Sequence, residues 1–243
     1  MTAAPGPVVV DATASLAGAY CARLLADAGA TVTVVEPPTG AALRRYAHGG
    51  PRTDPDDRDG VRFRSLRHGQ RSVRDDDPGR FAALVAAADV LLTDGPGPLG
   101  APGDLAAADP GRIVVAITPY GLVGPYADRP ATEFTVQADS GALGVRGTAD
   151  RPPIQMGGRL VEYVAGAYAA AAVLAARRRQ VTDGDGDLLD VAWCDVANLT
   201  GTLFADLMHS LAGRSSCPRS SPPSTAGSGS TPTPGCSSSR SAY

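Results

Sequence analysis

The stretch "VVVDATASLAGAYCARLLADAGATVTVVEPP", residues 8–38, decides how the chain folds. With Pro7 ahead of it, "PVVVDAT" (7–13) is a short apolar run of β-branched residues and reads as a buried strand. "AGAYCARLLADAG" (17–29) then places Tyr20, Leu24, Leu25 and Ala28 at helical spacing, and Gly29 stops the helix. "ATVTVVEPP" (30–38) is a second strand, ended by two prolines. Strand, helix and strand within about thirty residues form a βαβ unit, which requires a parallel sheet.

The alternation continues outward. "RFAALVAAADVLLTDG" (80–95) reads as helix then strand, and "GRIVVAITPYG" (111–121) as a further strand. Residues 40–75, rich in Arg, Asp, Gly and Pro, read as a long surface excursion. "RLVEYVAGAYAAAAVLAARRR" (159–179) is the strongest helix; apolar on all sides, it is expected inside the domain. Arg177, Arg178 and Arg179 are expected at its C-terminal end, where the macrodipole favours cations. "DLLDVAWCDVANLTGTLFADLMHSLAG" (187–213) is a strand running into a helix. The predicted class is α/β, an open parallel sheet.

Composition narrows the function classes. Of 243 residues, 43% are hydrophobic and 19% charged, values ordinary for a soluble globular protein. A net charge of -3 gives no electrostatic case for nucleic acid or an anionic membrane. All 22 basic residues are arginine, which points to GC-rich coding rather than to a binding surface. Four cysteines (Cys21, Cys194, Cys217, Cys236) and three scattered histidines show no metal-binding spacing. No metal is expected, and a reducing cytoplasm is the default setting. "MTAAPGPVVV" has no signal-peptide pattern. The longest apolar run, Val164 to Ala176, is 13 residues and too short for a bilayer.

Three candidate sites follow. Glu36, ending the second strand, is where dinucleotide-binding folds hold a ribose, but the turn "DATASLAGAY" has Gly18 alone in place of the glycine triad. A nicotinamide or flavin cofactor is therefore not expected. "DGDGDLLD" (183–190) has the acids of a calcium loop, yet Leu188 and Cys194 stand where an EF-hand needs Gly and Glu. The third is Glu162 in "GGRLVEYVAG" (157–166), flanked by Val161 and Tyr163. It is either an acid complementing the helix dipole or the group that does the chemistry.

The order of motifs resembles the class III CoA-transferases, the CaiB/BaiF family. "VVVDATASLAGAYCARLLADAGATVTVVEPP" is similar to that family's opening, and "RHGQRSV" (67–73) to its "N-R-G-K-R-S-V". "AADVLLTDG" (87–95) matches "ADVLVENF", and "ITPYGLVGPYADRPATEFTVQADSGAL" (117–143) fits the family's "GPY-x-x-R-P" region. "GGRLVEYVAGAYAAAAVLAA" (157–176) follows as the "AD-x-x-AG-x-YAA" helix, so the likeness covers residues 7 to 213 in order.

The resemblance implies a Rossmann-like large domain with helices on both faces, a smaller second domain, and two interlocked chains. It implies transfer of coenzyme A, as a substrate moiety, from an acyl-CoA to a carboxylic acid through a carboxylate nucleophile. Glu162 falls where the family has its catalytic aspartate. The CoA contacts fall on Leu16, Ala17, Pro37, Gln70, Arg71, Asp94, Gly95, Tyr120 and Gly121. Thr132 and Glu133 stand where the racemase branch has His and Asp, which disfavours an acyl-CoA racemase. Family chains continue past residue 213. Here residues 215–243 form a Ser/Pro-rich segment with no acid and no Val, Leu, Ile, Met or Phe, expected to be disordered. The expected organisation is a large-domain part (1–214) and a Ser/Pro-rich tail (215–243), either a natural low-complexity tail or, as the favoured reading, a reading-frame slip, leaving a weak or inactive enzyme. The competing reading is a non-catalytic pseudoenzyme or partner subunit of a longer paralogue.

Overall fold

Val8, Val9 and Val10 form β1 (Val8–Asp11), the central strand of a six-stranded sheet. The structure is a computed structural model and describes residues 6–47, 50–51, 59–144, 146–147 and 151–201. On one side β1 pairs in parallel with β2 (Thr31–Glu36), Val9 opposite Val32; on the other with β6 (Val90–Thr93), Val9 opposite Val90. β5 (Arg71–Arg74) adds beyond β2, and β7 (Ile113–Thr118) and β8 (Asp187–Ala192) add beyond β6. Every pairing is parallel, in the order β5-β2-β1-β6-β7-β8.

The period-two alternation of the strands sorts the core into two layers. Val9, Val34 and Leu92 point towards α1 (Leu16–Asp27) and α6 (Leu160–Asp183). Val10, Val35 and Leu91 point the other way, towards Phe81 and Val85 of α3 (Pro78–Ala86) and Leu105 of α4 (Pro102–Ala108). Helices thus cover both faces, as a fully parallel sheet requires. α5 (Glu133–Asp139) and α7 (Trp193–Gly201) extend the α1/α6 layer through Val136, Trp193 and Ala197.

Four sequence expectations need correction. The excursion at 40–75 contains a 3₁₀ turn (Ala42–Arg45), a two-residue hairpin of β3 (Tyr46–Ala47) and β4 (Gly50–Pro51), α2 (Val61–Leu66), and edge strand β5. β5 has one buried residue, Val73, so it lacks a hydrophobic signature; Glu36 anchors it by accepting from the Ser72 hydroxyl. α6 is not buried on all sides: Glu162, Ala165, Ala169 and Val173 face inward while Tyr168, Leu174 and Val181 are exposed. At 24 residues it is long and apolar enough by composition to cross a membrane, so the short apolar run does not exclude this; its inner stripe instead packs on α1 and the sheet. Arg177–Arg179 lie before the final turn: Arg177 reaches Asp89 at 3.4 Å and Arg179 pairs with Asp187, tying the helix to the sheet. The second half of the helix expected up to 213, and the tail from 215 with its reading-frame interpretation, lie outside the described residues.

Two contacts yield predictions. A Cβ on Gly166 would lie 2.4 Å from the carbonyl oxygen of Ala17, so α1 and α6 touch through backbone. Gly166→Ala is expected to destabilise the fold by about 1–3 kcal/mol, read as a lower urea midpoint. Glu36 is the second. Burial works against its charge, but hydrogen bonds from Arg44, Ser72 and the Ala41 amide prevail and lower its pKa from 4.5 to about 2. A depressed acid contributes stability above its unfolded value and loses it as the pH falls through its folded value. The deficit of Glu36→Gln against wild type in chemical unfolding should therefore be largest above pH 4.5 and vanish towards pH 2.

Candidate functional site

In an open parallel sheet, ligands enter at the carboxyl ends of the strands where the chain order reverses. Here that point lies between β1 and β6, and the loop Asp11–Ser15 leaves the sheet there. Asp11 accepts from the Thr13 amide at 2.9 Å and the Thr13 hydroxyl at 2.6 Å. Asp94 accepts from the amides of Ala14 at 2.6 Å and Ser15 at 3.2 Å. The amides that greet a pyrophosphate in dinucleotide folds thus already hold a protein carboxylate. Gly18 serves packing: a Cβ there would lie 1.9 Å from the Thr13 hydroxyl oxygen. Glu36 takes Arg44 on both oxygens, each at 2.6 Å, which leaves it no role in holding a ribose.

Glu162 sits in the first turn of α6 and is 1% exposed. Its Oε2 accepts from the Leu16 amide, the first of α1, at 3.1 Å. Its Oε1 accepts from Arg159 Nε at 2.6 Å and pairs with Nη2 of the same guanidinium. Arg159 occupies the N-cap position of α6 with φ of 60° and no side-chain cap. Glu133, the first residue of α5, caps the helix instead: its carboxylate accepts from the amides of Val161 at 2.8 Å and Glu162 at 3.4 Å. Gln137, one turn on, donates to Glu133 and exchanges hydrogen bonds with the Met156 backbone, fixing the segment that enters α6.

The surroundings of Glu162 raise its pKa above the ordinary carboxylate value. Burial is the largest influence and raises its pKa; Arg159 and the Leu16 amide pull down, and Glu133 adds to the rise. A buried acid with a raised pKa beside a backbone donor is a pattern of functional carboxylates. The neighbouring thiol offers no competing nucleophile, since burial and the charge of Asp11 push the Cys21 pKa upward. Among the described residues no group of His, Cys, Asp and Glu could hold a metal ion.

The other expected positions separate into two groups. Leu16 and Ala17 open α1 beside Glu162, and Asp94 holds the adjoining loop. Gln70 accepts from Arg67 at 3.2 Å, and Arg67 pairs with the buried Asp11 of that loop. Gly95, with φ of 114°, follows β6. Pro37 and Arg71 are exposed at the β2–β5 side of the sheet, Arg71 opposite Thr33. Tyr120 and Gly121 follow β7, where the Tyr120 hydroxyl donates to Asp139 at 2.6 Å and the Gly121 amide to Thr118 at 2.9 Å. Among the described residues these four make no hydrogen bond to Glu162. Thr132 caps α5 in a capping box with Thr135, and Glu133 caps α6, so the positions of the racemase pair are spent on helix ends. Sequence reading missed Arg159 and Arg67; Gly157 and Gly158 ahead of Arg159 were the available signal.

CoA-transferase family III matches residues 5–225. The succinate–glutarate CoA-transferase of Agrobacterium fabrum is 31% identical over 201 residues, covering 77% of this chain and 50% of that protein. The succinyl-CoA–L-malate CoA-transferase beta subunit of Chloroflexus aurantiacus is 34% identical over 196 residues, covering 76% and 47%. A crystal structure of a CaiB/BaiF family protein from Brucella suis superposes with a TM-score of 0.72 at 31% identity, over 86% of this chain and 58% of that one. The chain spans about half the length of the curated relatives it matches. With a family match across most of its length, the chain belongs to CoA-transferase family III.

Proposed function

We propose that Glu162 is the nucleophile of a CoA transfer from an acyl-CoA to a free carboxylic acid. The observation that carries this reading is the placement of one buried carboxylate, with a raised pKa, against the first amide of α1 at the ligand end of the sheet. In the first half-reaction a Glu162 oxygen attacks the thioester carbonyl and CoA thiolate leaves, giving a mixed anhydride. The thiolate then attacks the Glu162 carbonyl, releasing the donor acid and leaving a CoA thioester on Glu162. The acceptor acid reverses both steps and departs as the new acyl-CoA. The Leu16 amide is placed to hold the oxygen that gathers charge. The proposed path of the CoA moiety runs along Leu16–Ala17, Pro37, Gln70–Arg71, Asp94–Gly95 and Tyr120–Gly121.

The names of the relatives, a succinate–glutarate and a succinyl-CoA–malate enzyme, favour short dicarboxylic acids as donor and acceptor. A cytoplasmic setting belongs to the same proposal, as does a homodimer. The alternative assembly, a partner subunit beside a second chain, is favoured by relatives described as alpha and beta subunits of one transferase. Elution of the purified chain as a dimer supports the first; dimerisation only on adding a longer paralogue supports the second.

Incubation with succinyl-CoA, acid quench and peptide mass spectrometry should find CoA on the peptide containing Glu162, and Glu162→Gln should abolish it. Absence of the adduct from wild type defeats the reading. Because burial raises the pKa of Glu162, adduct formation should climb with pH as the acid ionises, with a midpoint above 4.5.

A further inference from the structure

Both oxygens of Glu162 are engaged, and a carboxylate covered by a guanidinium cannot approach a thioester carbonyl. Of its two partners, the Leu16 amide belongs to the buried end of α1 and is fixed. Arg159 is not. Its side chain is 34% exposed, and it is the single non-glycine residue with positive φ among the described residues. It follows Gly157 and Gly158, around which a Cβ would meet nothing within 4 Å. Its guanidinium carbon also lies 5.8 Å from the centre of the Tyr46 ring. Strain at a left-handed residue, held over an active group by a glycine hinge, points to function rather than to packing.

The charges along the reaction supply the rest. When Glu162 becomes an anhydride or a thioester it loses its charge, and Arg159 loses its counter-ion. A short dicarboxylic substrate has a second carboxylate that takes no part in bond making, and it is present on the donor acyl-CoA, on the anhydride, on the released acid and on the acceptor. We propose that Arg159 is a carboxylate-binding residue that alternates between two anions: Glu162 in the resting protein and, once substrate is bound, the non-reacting carboxylate of a short dicarboxylic acid or its acyl-CoA. This rests on Glu162 being the nucleophile. The exchange uncovers Glu162 for attack, and it orients the acceptor. An acceptor oxygen attacks the Glu162 thioester carbonyl, and CoA thiolate departs. The thiolate then attacks the acceptor's acyl carbon, and Glu162 leaves as a carboxylate that takes Arg159 back. No bond to the guanidinium forms or breaks, and one anion faces the cation before and after each exchange. The planar fork of arginine suits this role: Nε and Nη2 both reach Oε1 of Glu162, and the same two donors can take an oxygen of the substrate's second carboxylate.

Glu162→Gln reproduces the uncharged, acylated side chain without any CoA, and succinate is the probe. Calorimetric titration should show succinate binding to Glu162→Gln about tenfold more tightly than to wild type, the size expected of one charge-assisted pair. The gain should disappear in Glu162→Gln/Arg159→Gln. Equal affinity in the single and double variants, or no gain over wild type, overturns the proposal. Glu162→Ala provides a second neutral background should the amide disturb folding, and the same outcomes apply. The titration uses no acyl-CoA, so the two ideas fail separately. A CoA adduct on Glu162 without Arg159-dependent binding removes the arginine's role alone. Arg159-dependent binding without an adduct removes the transfer reaction.

Discussion

The backbone contact between α1 and α6 is the constraint on which the site depends. With no side chain at Gly166, the two helices approach until the Ala17 carbonyl lies 2.4 Å from where a Cβ would stand. Glu162 is one turn before Gly166 on α6, and Leu16 is one residue before Ala17 on α1. The same approach therefore brings the Glu162 carboxylate to the Leu16 amide. Small residues continue the seam through Ala17, Cys21, Ala165 and Ala169, all fully buried. A larger residue along it would lift the acid away from its donor, and a displacement of about 1 Å can cost on the order of 100-fold in rate.

Two buried glutamates show how surroundings set the behaviour of an acid. Glu36 and Glu162 are 2% and 1% exposed, yet their pKa values move in opposite directions. Glu36 is gripped at both oxygens by Arg44, with Ser72 and the Ala41 amide adding hydrogen bonds, and it stays ionised to about pH 2. Glu162 has one cation on one oxygen and a single amide on the other, with Glu133 nearby as a like charge. Removing one partner from a buried pair costs about 3–5 kcal/mol, because it leaves a charge without compensation. Glu36 spends that interaction on holding the β2–β5 side together. Glu162 keeps a charge that a reaction can remove.

The sheet was legible because its strands are dense in Val, Ile and Leu and its first helix ends on Gly29. β5 was not, since an edge strand with Val73 alone in the core shows no alternation. The solvent side of α6 was misread for the opposite reason: alanine is equally at home on either face, so Tyr168 and Leu174 gave the impression of a helix buried all round. Glu162 could be singled out by its apolar neighbours and by its register with a family, but its partners could not. Arg159 lies three residues away in sequence, whereas Leu16 and Glu133 arrive through tertiary packing that no local pattern encodes.

The start of α1 shows how one fold serves different ligands. A parallel sheet with a helix after its first strand always presents unpaired amides at the switch point, and these attract whatever anion is available. In dinucleotide folds a pyrophosphate answers them, which requires glycines so that the backbone can come close. Here the chain answers with its own carboxylates: Asp94 on Ala14 and Ser15, Glu162 on Leu16. The glycine triad is then unnecessary, and Thr13 can pack where a phosphate-binding turn would stay bare. Of the two internal anions, Asp94 is stabilised by these amides and by the Ser15 side chain, and it closes the loop. Glu162 also faces a cation on a glycine hinge, so it alone can be exposed and covered again without unfolding the end of the helix. The proposed chemistry therefore starts at an anion site whose occupant is part of the chain itself.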